Sequence, residues 1–287
     1  ERVLVIVPTY NEAENITSIV RRIRAAVPGA DVLIADDNSP DGTGQLADRL
    51  AGDDTHVHVL HRAGKEGLAK AYVAGFRWGL DHGYQVLVEH DADGSHQPEY
   101  LPAMLDALVD ADMVKGSRWT RGGRVLNYSK RREALSRAAN IWVQVAMDMP
   151  VHDATGGLNA FRAGILRAID LDAVAGNKGY AFQIDLTRRV LDAGGVVREV
   201  PIEFPDRRFG QSKMSGAIIG EALVSTAAWG AAKRWAELRG LTQSATARLQ
   251  PLAFRFREGM DADLPATQHT SKRSDDSQPA GDPPHHG

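Results

Sequence analysis

The sequence predicts an α/β protein whose mostly parallel sheet is flanked by helices, and two observations carry this prediction. Short runs rich in Val, Ile and Leu alternate with segments of helical periodicity from residue 2 to residue 118. Polar and acidic residues follow several of these runs at once, as at the carboxyl ends of buried parallel strands. Ligands of open α/β sheets bind at that edge, so we expect the functional residues there.

The first half of the chain contains five predicted strands joined by helices. The strands are RVLVIVPTY, ADVLIADDNS, HVHVLHR, YQVLVEHD and ADMVKGSR, which span 2–10, 30–39, 56–62, 84–91 and 111–118. The intervening helices are expected over about 12–26, 44–51, 67–82 and 98–110. We expect Asn11 to cap the first helix, because an Asn side chain accepts hydrogen bonds from the N–H groups of a first helical turn.

The second half of the chain is less regular. Helices are expected over 133–149, 181–193 and 214–239, and strands at GLNAFRA (157–163) and VVREVPIEF (196–204). From about Thr242 the periodicity disappears, and the polar, Pro-rich residues after about 265 predict disorder. We therefore predict a folded domain over 1–240 and an extension over 241–287.

The composition is that of an ordinary globular protein, 43% hydrophobic and 25% charged. A formal net charge of -3 is not that of a dedicated nucleic-acid-binding protein, so no nucleic acid partner is expected. The chain has no cysteine, which excludes disulfides, thiolate metal sites and thiol nucleophiles. No strongly apolar window is long enough to predict a transmembrane helix. Glu1 leads directly into a strand, so we expect a chain cut from a longer polypeptide.

Carboxylates at the predicted strand ends are the main chemical signal. Asp36 and Asp37 end the second strand, and Asp91 and Asp93 follow the fourth. Neighbouring carboxylates raise one another's pKa unless a cation or hydrogen-bond donors intervene. Oxygen ligands suit Mg²⁺ or Mn²⁺, which bind one or two protein carboxylates together with substrate phosphates. We therefore interpret Asp91 and Asp93 as a metal and diphosphate clamp; a solvated turn is the alternative, because Asp is common in turns.

The common nucleotide-binding fingerprints are missing. The first strand leads into PTYNEAEN rather than GxGxxG, and the chain has no GxxxxGK[ST]. These absences argue against a Rossmann dehydrogenase and a P-loop NTPase. His90 and His96 flank the carboxylates, and hydrogen bonding or metal ligation are both open for them.

Three motifs on successive strands, VPTYNE, DDNSPDGT and DADGSHQPE, resemble the family 2 inverting glycosyltransferases of the GT-A fold. Four later segments resemble the dolichol- or polyprenol-phosphate mannosyltransferases within that family. They are VKGSR at 114–118, DATGGLNAFR at 153–162, GYAFQID at 179–185 and EVPIEFPDRRFGQSKM at 199–214. The resemblance covers roughly residues 3–235 and implies a GT-A domain with a Rossmann-like sheet, followed by C-terminal interfacial helices.

The resemblance implies an enzyme that transfers mannose from GDP-mannose to a polyprenyl monophosphate, with inversion. The product would be polyprenyl-phosphate-mannose, a lipid-linked sugar donor. The implied nucleotide contacts are Pro8, Tyr10, Glu12, Ala35 and Asp37. The residues implied to hold the metal and the diphosphate are Asp91, Ala92 and Asp93.

Other implied contacts come from later in the chain. Arg207 and Lys213 would close over the diphosphate from a loop, and Arg118, Arg132 and Ser136 would bind the acceptor phosphate. Ser95 stands where many relatives carry Gln, with Gln97 two residues further on.

A basic patch and two apolar stripes bear on the acceptor side. Seven cations against Glu133 make up the patch: Arg118, Arg121, Arg124, Lys130, Arg131, Arg132 and Arg137. The stripes are Ile141, Trp142, Val145 and Met149, and then Ile218, Ile219, Leu223, Trp229 and Trp235. Two interpretations of these stripes stay open: they pack in the protein core, or they belong to helices that lie in the membrane interface. We expect a peripheral protein at the cytoplasmic face of a membrane, held there by these helices, an integral membrane partner or a fused N-terminal membrane domain.

Two rival functions remain beside the leading one. The first is an enzyme that uses UDP-glucose or another nucleotide sugar on the same lipid. The second is a lipid-phosphate-binding membrane adaptor without activity, against which the Asp91/Asp93 pair and the two loop cations argue.

Overall fold

The fold is built around one mixed, mostly parallel sheet. The computed structural model describes residues 1–177, 179–205, 226–231 and 234–235. The strands are β1 Val3–Thr9, β2 Asp31–Asp36, β3 Val57–His61, β4 Val86–Glu89, β5 Met113–Ser117, β6 Arg124–Leu126, β7 Asn159–Arg162, β8 Val197–Pro201 and β9 Glu203–Pro205. Seven of them form the main sheet in the order β3-β2-β1-β4-β7-β5-β8, in which β7 is antiparallel to β4 and β5. The predicted α/β class is therefore confirmed.

Helices cover both faces of the sheet. They are α1 Ile16–Ala26, α2 Thr43–Asp53, α3 Leu68–Asp81, α4 Leu101–Ala107, α5 Lys130–Met147, α6 Ala163–Ala168, α7 Leu171–Ala175 and α8 Gly179–Asp192. Alternation along β1 divides the core, because successive side chains of a strand point to opposite faces. Val5 and Val7 join the core under α1, α2 and α4, whereas Leu4 and Ile6 join the core under α3, α6, α7 and α8.

The predicted Asn11 cap is wrong. Asn11 has φ 60, in the left-handed region, and α1 begins only at Ile16. Turn residues lie between them, and the backbone N–H of Glu12 and Ala13 donate to Thr43 and Asp41 on the α2 side. Residues 12–15, which the periodicity assigned to the helix, are therefore held outside it by long-range hydrogen bonds to the loop after β2 and the start of α2.

Other differences lie in the second half of the chain. The predicted strand over 196–204 is two strands, because the chain leaves the main sheet after Pro201 and β9 pairs with β6 in a separate two-stranded sheet. The short strand at GLNAFRA is present as β7. The sequence pattern did not predict β6, α6 or α7, which are three to six residues long.

The described residues up to Arg234 form one compact unit. Of the predicted helix over 214–239, residues 226–231 and 234–235 are described and helical. The boundary at residue 240, the extension over 241–287 and the disorder after about 265 lie outside the described residues and stay predictions.

Candidate active site

The predicted convergence of acidic residues occurs at one edge of the sheet. β2, β1 and β4 are neighbours and parallel, so the residues after Asp36, Thr9 and Glu89 meet at their shared carboxyl edge. β5 runs in the same direction as β4, because both are antiparallel to β7 between them. Arg118, which follows β5, therefore lies at this edge as well.

Asp36 and Asp37 have different environments. Asp36 is buried and accepts hydrogen bonds from Thr9 Oγ1 (2.9 Å), Ser39 N (3.0 Å) and Ser39 Oγ (2.6 Å), so it ties the end of β1 to the end of β2. Asp37 forms an ion pair with Arg62 from the end of β3. Burial raises the pKa of Asp37, and the Arg62 guanidinium opposes that rise. Asp36 therefore has a structural role, since its carboxylate connects the ends of β1 and β2.

Asp91 is held by groups from α3 and from its own loop. Tyr72 Oη donates to Asp91 Oδ1 at 2.8 Å. Tyr72 reaches Asp91 because α3 packs closely on the sheet. One and two turns after Tyr72, a Cβ added at Gly75 or Gly79 would lie within 2.6 Å of Ile6 or Leu87, respectively. Burial and the nearby Asp91 carboxylate raise the pKa of Tyr72, so this hydroxyl stays a donor.

The two histidines that flank the carboxylates bind the backbone of Asp91. His90 Nδ1 donates to the Asp91 carbonyl oxygen (2.9 Å), and the Asp91 N–H donates to His96 Nδ1 (3.1 Å). The second bond leaves the proton of His96 on Nε2, which lies 3.9 Å from Asp91 Oδ2. Burial lowers the pKa of His90 to about 3, so it is neutral. Of the two roles left open for these residues, the observed contacts favour hydrogen bonding.

Asp93 begins a tight turn. Its Oδ1 accepts bonds from Ser95 N (3.0 Å) and Ser95 Oγ (2.5 Å). Gln97 donates to the Gly94 carbonyl oxygen (3.1 Å) and accepts from Arg22 (2.7 Å). In this arrangement Ser95 and Gln97 therefore shape the turn that presents Asp93.

A buried polar network lies behind Asp91, and sequence reasoning missed it. Asn159 Nδ2 donates to Glu89 Oε2 (2.6 Å), and Lys115 Nζ donates to Asn159 Oδ1 (2.8 Å). Gln183 and Thr187 of α8 complete the network around these groups. Both charged side chains are fully buried. Burial raises the pKa of Glu89 to about 8 and lowers that of Lys115 to about 8, which moves both groups towards their neutral forms. A lysine inside the apolar run ADMVKGSR was the available signal.

Arg118 forms a buried bidentate pair with Asp153. Its Nε and Nη2 each donate to Asp153 at 2.7 Å, and Nη2 also donates to Thr155 Oγ1 at 2.9 Å. Although burial alone would raise the pKa of Asp153, the guanidinium and backbone N–H of Arg118 hold it below its usual value. This pair, which joins the VKGSR and DATGG segments, was not predicted from the sequence.

Arg132 and Ser136 lie in the first two turns of α5, which begins at the Ser129 cap. The Arg132 guanidinium lies 3.8 Å from the centroid of the Tyr128 ring, and its Nη2 donates to Tyr128 Oη at 3.2 Å. The two acceptor-side residues are thus one helical turn apart, and their role in phosphate binding stays a prediction.

The residues predicted to bind the nucleotide gather at the ends of β1 and β2. Pro8 and Ala35 are register partners on these strands, and Tyr10 and Glu12 follow β1. Glu12 accepts a hydrogen bond from Asn15 Nδ2 (2.8 Å). Ala92, which stands between Asp91 and Asp93 in the sequence, is buried. Arg207 and Lys213 lie outside the described residues.

The chemistry of the two carboxylates at the β4 end suits a divalent ion that also binds a diphosphate. Asp91 and Asp93 offer hard carboxylate oxygens, and the Asp91 side chain is 25% exposed. Within the described ranges, no group of three or more His, Asp or Glu side chains forms a metal site. Two carboxylates are what a Mg²⁺ or Mn²⁺ site completed by substrate phosphates requires.

Comparison with known proteins extends this picture. The family model for glycosyl transferase family 2 matches residues 4–170. An undecaprenyl-phosphate mannosyltransferase from Micrococcus luteus is 53% identical over 238 residues, which are 83% of this chain and 98% of that protein. A polyprenol monophosphomannose synthase from Mycolicibacterium smegmatis is 51% identical over 245 residues, 85% of this chain and 92% of that protein.

Solved structures agree on the fold. The glucosyl-3-phosphoglycerate synthase of Mycobacterium tuberculosis superposes with a TM-score of 0.58 at 18% identity, over 79% of this chain and 80% of that one. This likeness confirms the GT-A fold that the strand-end motifs predict. The family match and the two sequence relatives likewise confirm the resemblance and show that the protein is a glycosyltransferase. The chain therefore belongs to glycosyl transferase family 2.

Proposed function

We propose that this glycosyltransferase transfers mannose from GDP-mannose to a polyprenyl monophosphate, with inversion at the anomeric carbon. The observation that carries the proposal is the identity of 51–53% with two proteins named for polyprenol-phosphate mannosyl transfer. The arrangement of Asp91 and Asp93 at the strand edge supports it, because a divalent ion bound by one or two carboxylates also binds the diphosphate of a nucleoside diphosphate sugar.

Asp91 and Asp93 are the proposed ligands of a Mg²⁺ or Mn²⁺ ion, which would stabilise the negative charge of the leaving diphosphate. Tyr72 and the two histidines orient Asp91 before the donor binds, so little reorganisation accompanies the reaction. Arg207 and Lys213 are proposed to add positive charge on the same diphosphate. Pro8, Tyr10, Glu12, Ala35 and Asp37 are proposed to bind the nucleotide, and Ala92 to line the diphosphate site.

On the acceptor side, a lipid monophosphate is already an anion near neutral pH. It needs a fixed position opposite the leaving group more than it needs a general base. Arg118, Arg132 and Ser136 are proposed to supply that position. Asp153 supports this role for Arg118, because two hydrogen bonds of 2.7 Å hold the guanidinium in one orientation.

The test is a radiolabelled transfer assay that offers GDP-mannose or UDP-glucose together with a short polyprenyl phosphate, with and without EDTA. We expect mannose transfer from GDP-mannose that EDTA abolishes and Mg²⁺ or Mn²⁺ restores. Transfer of glucose alone would favour the rival donor. Transfer of neither sugar with any metal would favour the inactive adaptor, and activity in EDTA would contradict the metal proposal.

Contact with a membrane surface is proposed through α5. Ile141 is 59% exposed and Val145 is 66% exposed, and Trp142 lies beside them at 43%. Met149 from the same predicted stripe is instead packed in a small core with Met147 and Ile184. Among the described residues, no helix is long and apolar enough to cross a bilayer. An exposed apolar face next to the basic start of α5 suits a helix that lies in the interface at the cytoplasmic side. An integral membrane partner or a fused membrane domain stays a further proposal.

The double substitution Ile141→Ser and Val145→Ser tests this contact. We expect binding to vesicles that contain anionic lipid to fall by about tenfold or more, since two apolar side chains are lost from the interface. Vesicle co-sedimentation measures it. Val109→Ser is the matched control, because Val109 is 74% exposed and lies in the turn after α4 rather than on α5. Equal binding by the double variant and the wild type would contradict the assignment of α5.

A further inference from the structure

One cation at the candidate donor site has no role in the function proposed above. Lys65, in the segment after β3, places its Nζ 4.0 Å from the centroid of the Tyr10 ring, which follows β1. Lys65 is exposed, and within the described part of the chain it forms no ion pair. Lys70, five residues later, is neutralised by Glu66 at 3.0 Å. Lys65 therefore brings a positive charge to Tyr10, the residue predicted to contact the nucleotide.

The backbone that carries Lys65 is anchored to the site. The N–H of Arg62 donates to the carbonyl oxygen of Asp36 (2.8 Å), which continues the pairing of β3 with β2. The Arg62 guanidinium pairs with Asp37 and donates to Glu66 at 3.1 Å. The side chains of Arg62 and Asp37 are 9% and 7% exposed, so this pair is largely shielded from water. Position 65 is thus held at the site while its ammonium group stays exposed.

The strand order shows which end of a bound nucleotide sugar Lys65 faces. β3 and β4 are three strands apart in the order β3-β2-β1-β4. Neighbouring strands lie about 4.8 Å apart, so their ends are separated by about 14 Å. The diphosphate is proposed to bind at the β4 end, on Asp91 and Asp93. The nucleoside must then extend over β1 and β2 towards β3, where Tyr10, Asp37 and Lys65 lie.

We propose that Lys65 is a specificity-determining residue that binds the nucleobase of the donor and favours guanine over uracil. This inference rests on the proposed function. Guanine presents two adjacent acceptors, O6 and N7, to which one ammonium group donates. Uracil has a smaller ring, and its two carbonyl acceptors, O2 and O4, are separated by the N3–H donor. Asp37 on the adjacent strand end suits the N1–H and N2–H donors of the same base.

The experiment is calorimetric titration of GDP and of UDP, each with Mg²⁺, into the wild-type protein, Lys65→Met, Lys65→Arg and Lys70→Met. Met keeps the apolar stem over Tyr10 and removes the charge. We expect Lys65→Met to weaken GDP binding about tenfold and UDP binding less than twofold, because only guanine loses a charge-assisted hydrogen bond. Lys65→Arg should recover most of the GDP affinity, and Lys70→Met should match the wild type. Melting temperatures equal to that of the wild type would show that all three variants fold.

The outcomes separate this inference from the proposed function. If the wild type binds GDP and Lys65→Met binds it equally well, the role of Lys65 is wrong and the donor assignment stands. If Lys65→Met weakens GDP and UDP by the same factor, Lys65 acts on the phosphates, and the base assignment is wrong. If the wild type does not bind GDP, the proposed donor is wrong and the role of Lys65 falls with it.

Discussion

Asp91→Asn is expected to lower mannose transfer by about 100-fold or more while the protein stays folded. The substitution keeps the shape of the side chain but removes the negative charge that a divalent ion requires. Tyr72 and the two backbone bonds from His90 and His96 hold position 91 in either variant. The loss should therefore appear in catalysis and in metal-dependent GDP binding, and little in stability.

Steady-state transfer assays and titration of GDP with and without Mg²⁺ measure this effect. Asp106→Asn is the matched control, because Asp106 is an exposed carboxylate on α4, away from the strand edge. It should transfer mannose at the wild-type rate. Full activity of Asp91→Asn with a divalent ion present would show that Asp91 does not hold the metal.

Asp153→Ala is expected to lower the free energy of unfolding by about 3–5 kcal/mol. The Arg118 side chain is 9% exposed, and the substitution would leave its charge buried without the carboxylate that accepts two hydrogen bonds from the guanidinium and one from the Arg118 backbone N–H. Because the folded-state pKa of Asp153 is lowered, its contribution is present above the ordinary carboxyl pKa. It is lost as the pH falls through the lowered value.

Urea denaturation monitored by circular dichroism measures this change at neutral and acidic pH. The control is Glu133→Gln, which breaks an ion pair of 3.1 Å with Arg137 on the exposed face of α5. That substitution should cost about 0.5 kcal/mol or less, because exposed pairs of this kind contribute little. A loss below about 1 kcal/mol for Asp153→Ala would mean that Arg118 finds another partner or water.

Local sequence signals predicted the parts of the molecule that depend on neighbouring residues. Ile16, Ile19, Val20 and Ile23 form the buried face of α1 as their spacing predicts. Asp91 and Asp93 follow a strand whose four residues are all buried. The carboxyl ends of parallel strands meet at one edge, so the convergence of these strand ends followed from the α/β pattern itself. The order β3-β2-β1-β4 came only from the structure.

Prediction failed where a distant contact outweighed a local preference. Asn11 is a suitable cap residue, yet bonds from the α2 side hold the segment after it outside the helix. The run over 196–204 has continuous strand character, but its second part pairs with β6, which has too few residues to give a pattern.

The sequence by itself determined the fold class, the family and the acidic edge where the donor is proposed to bind. Tertiary structure alone decided which partners the side chains at and near this edge contact. Asp36 accepts hydrogen bonds from Thr9 and Ser39, and Asp153 accepts hydrogen bonds from Arg118. The Lys65 ammonium group lies over the ring of Tyr10, which is 55 positions away in the sequence. The physical reason is that burial and pairing set the charge and reach of a side chain. Both depend on residues that are distant in the chain and adjacent only after folding.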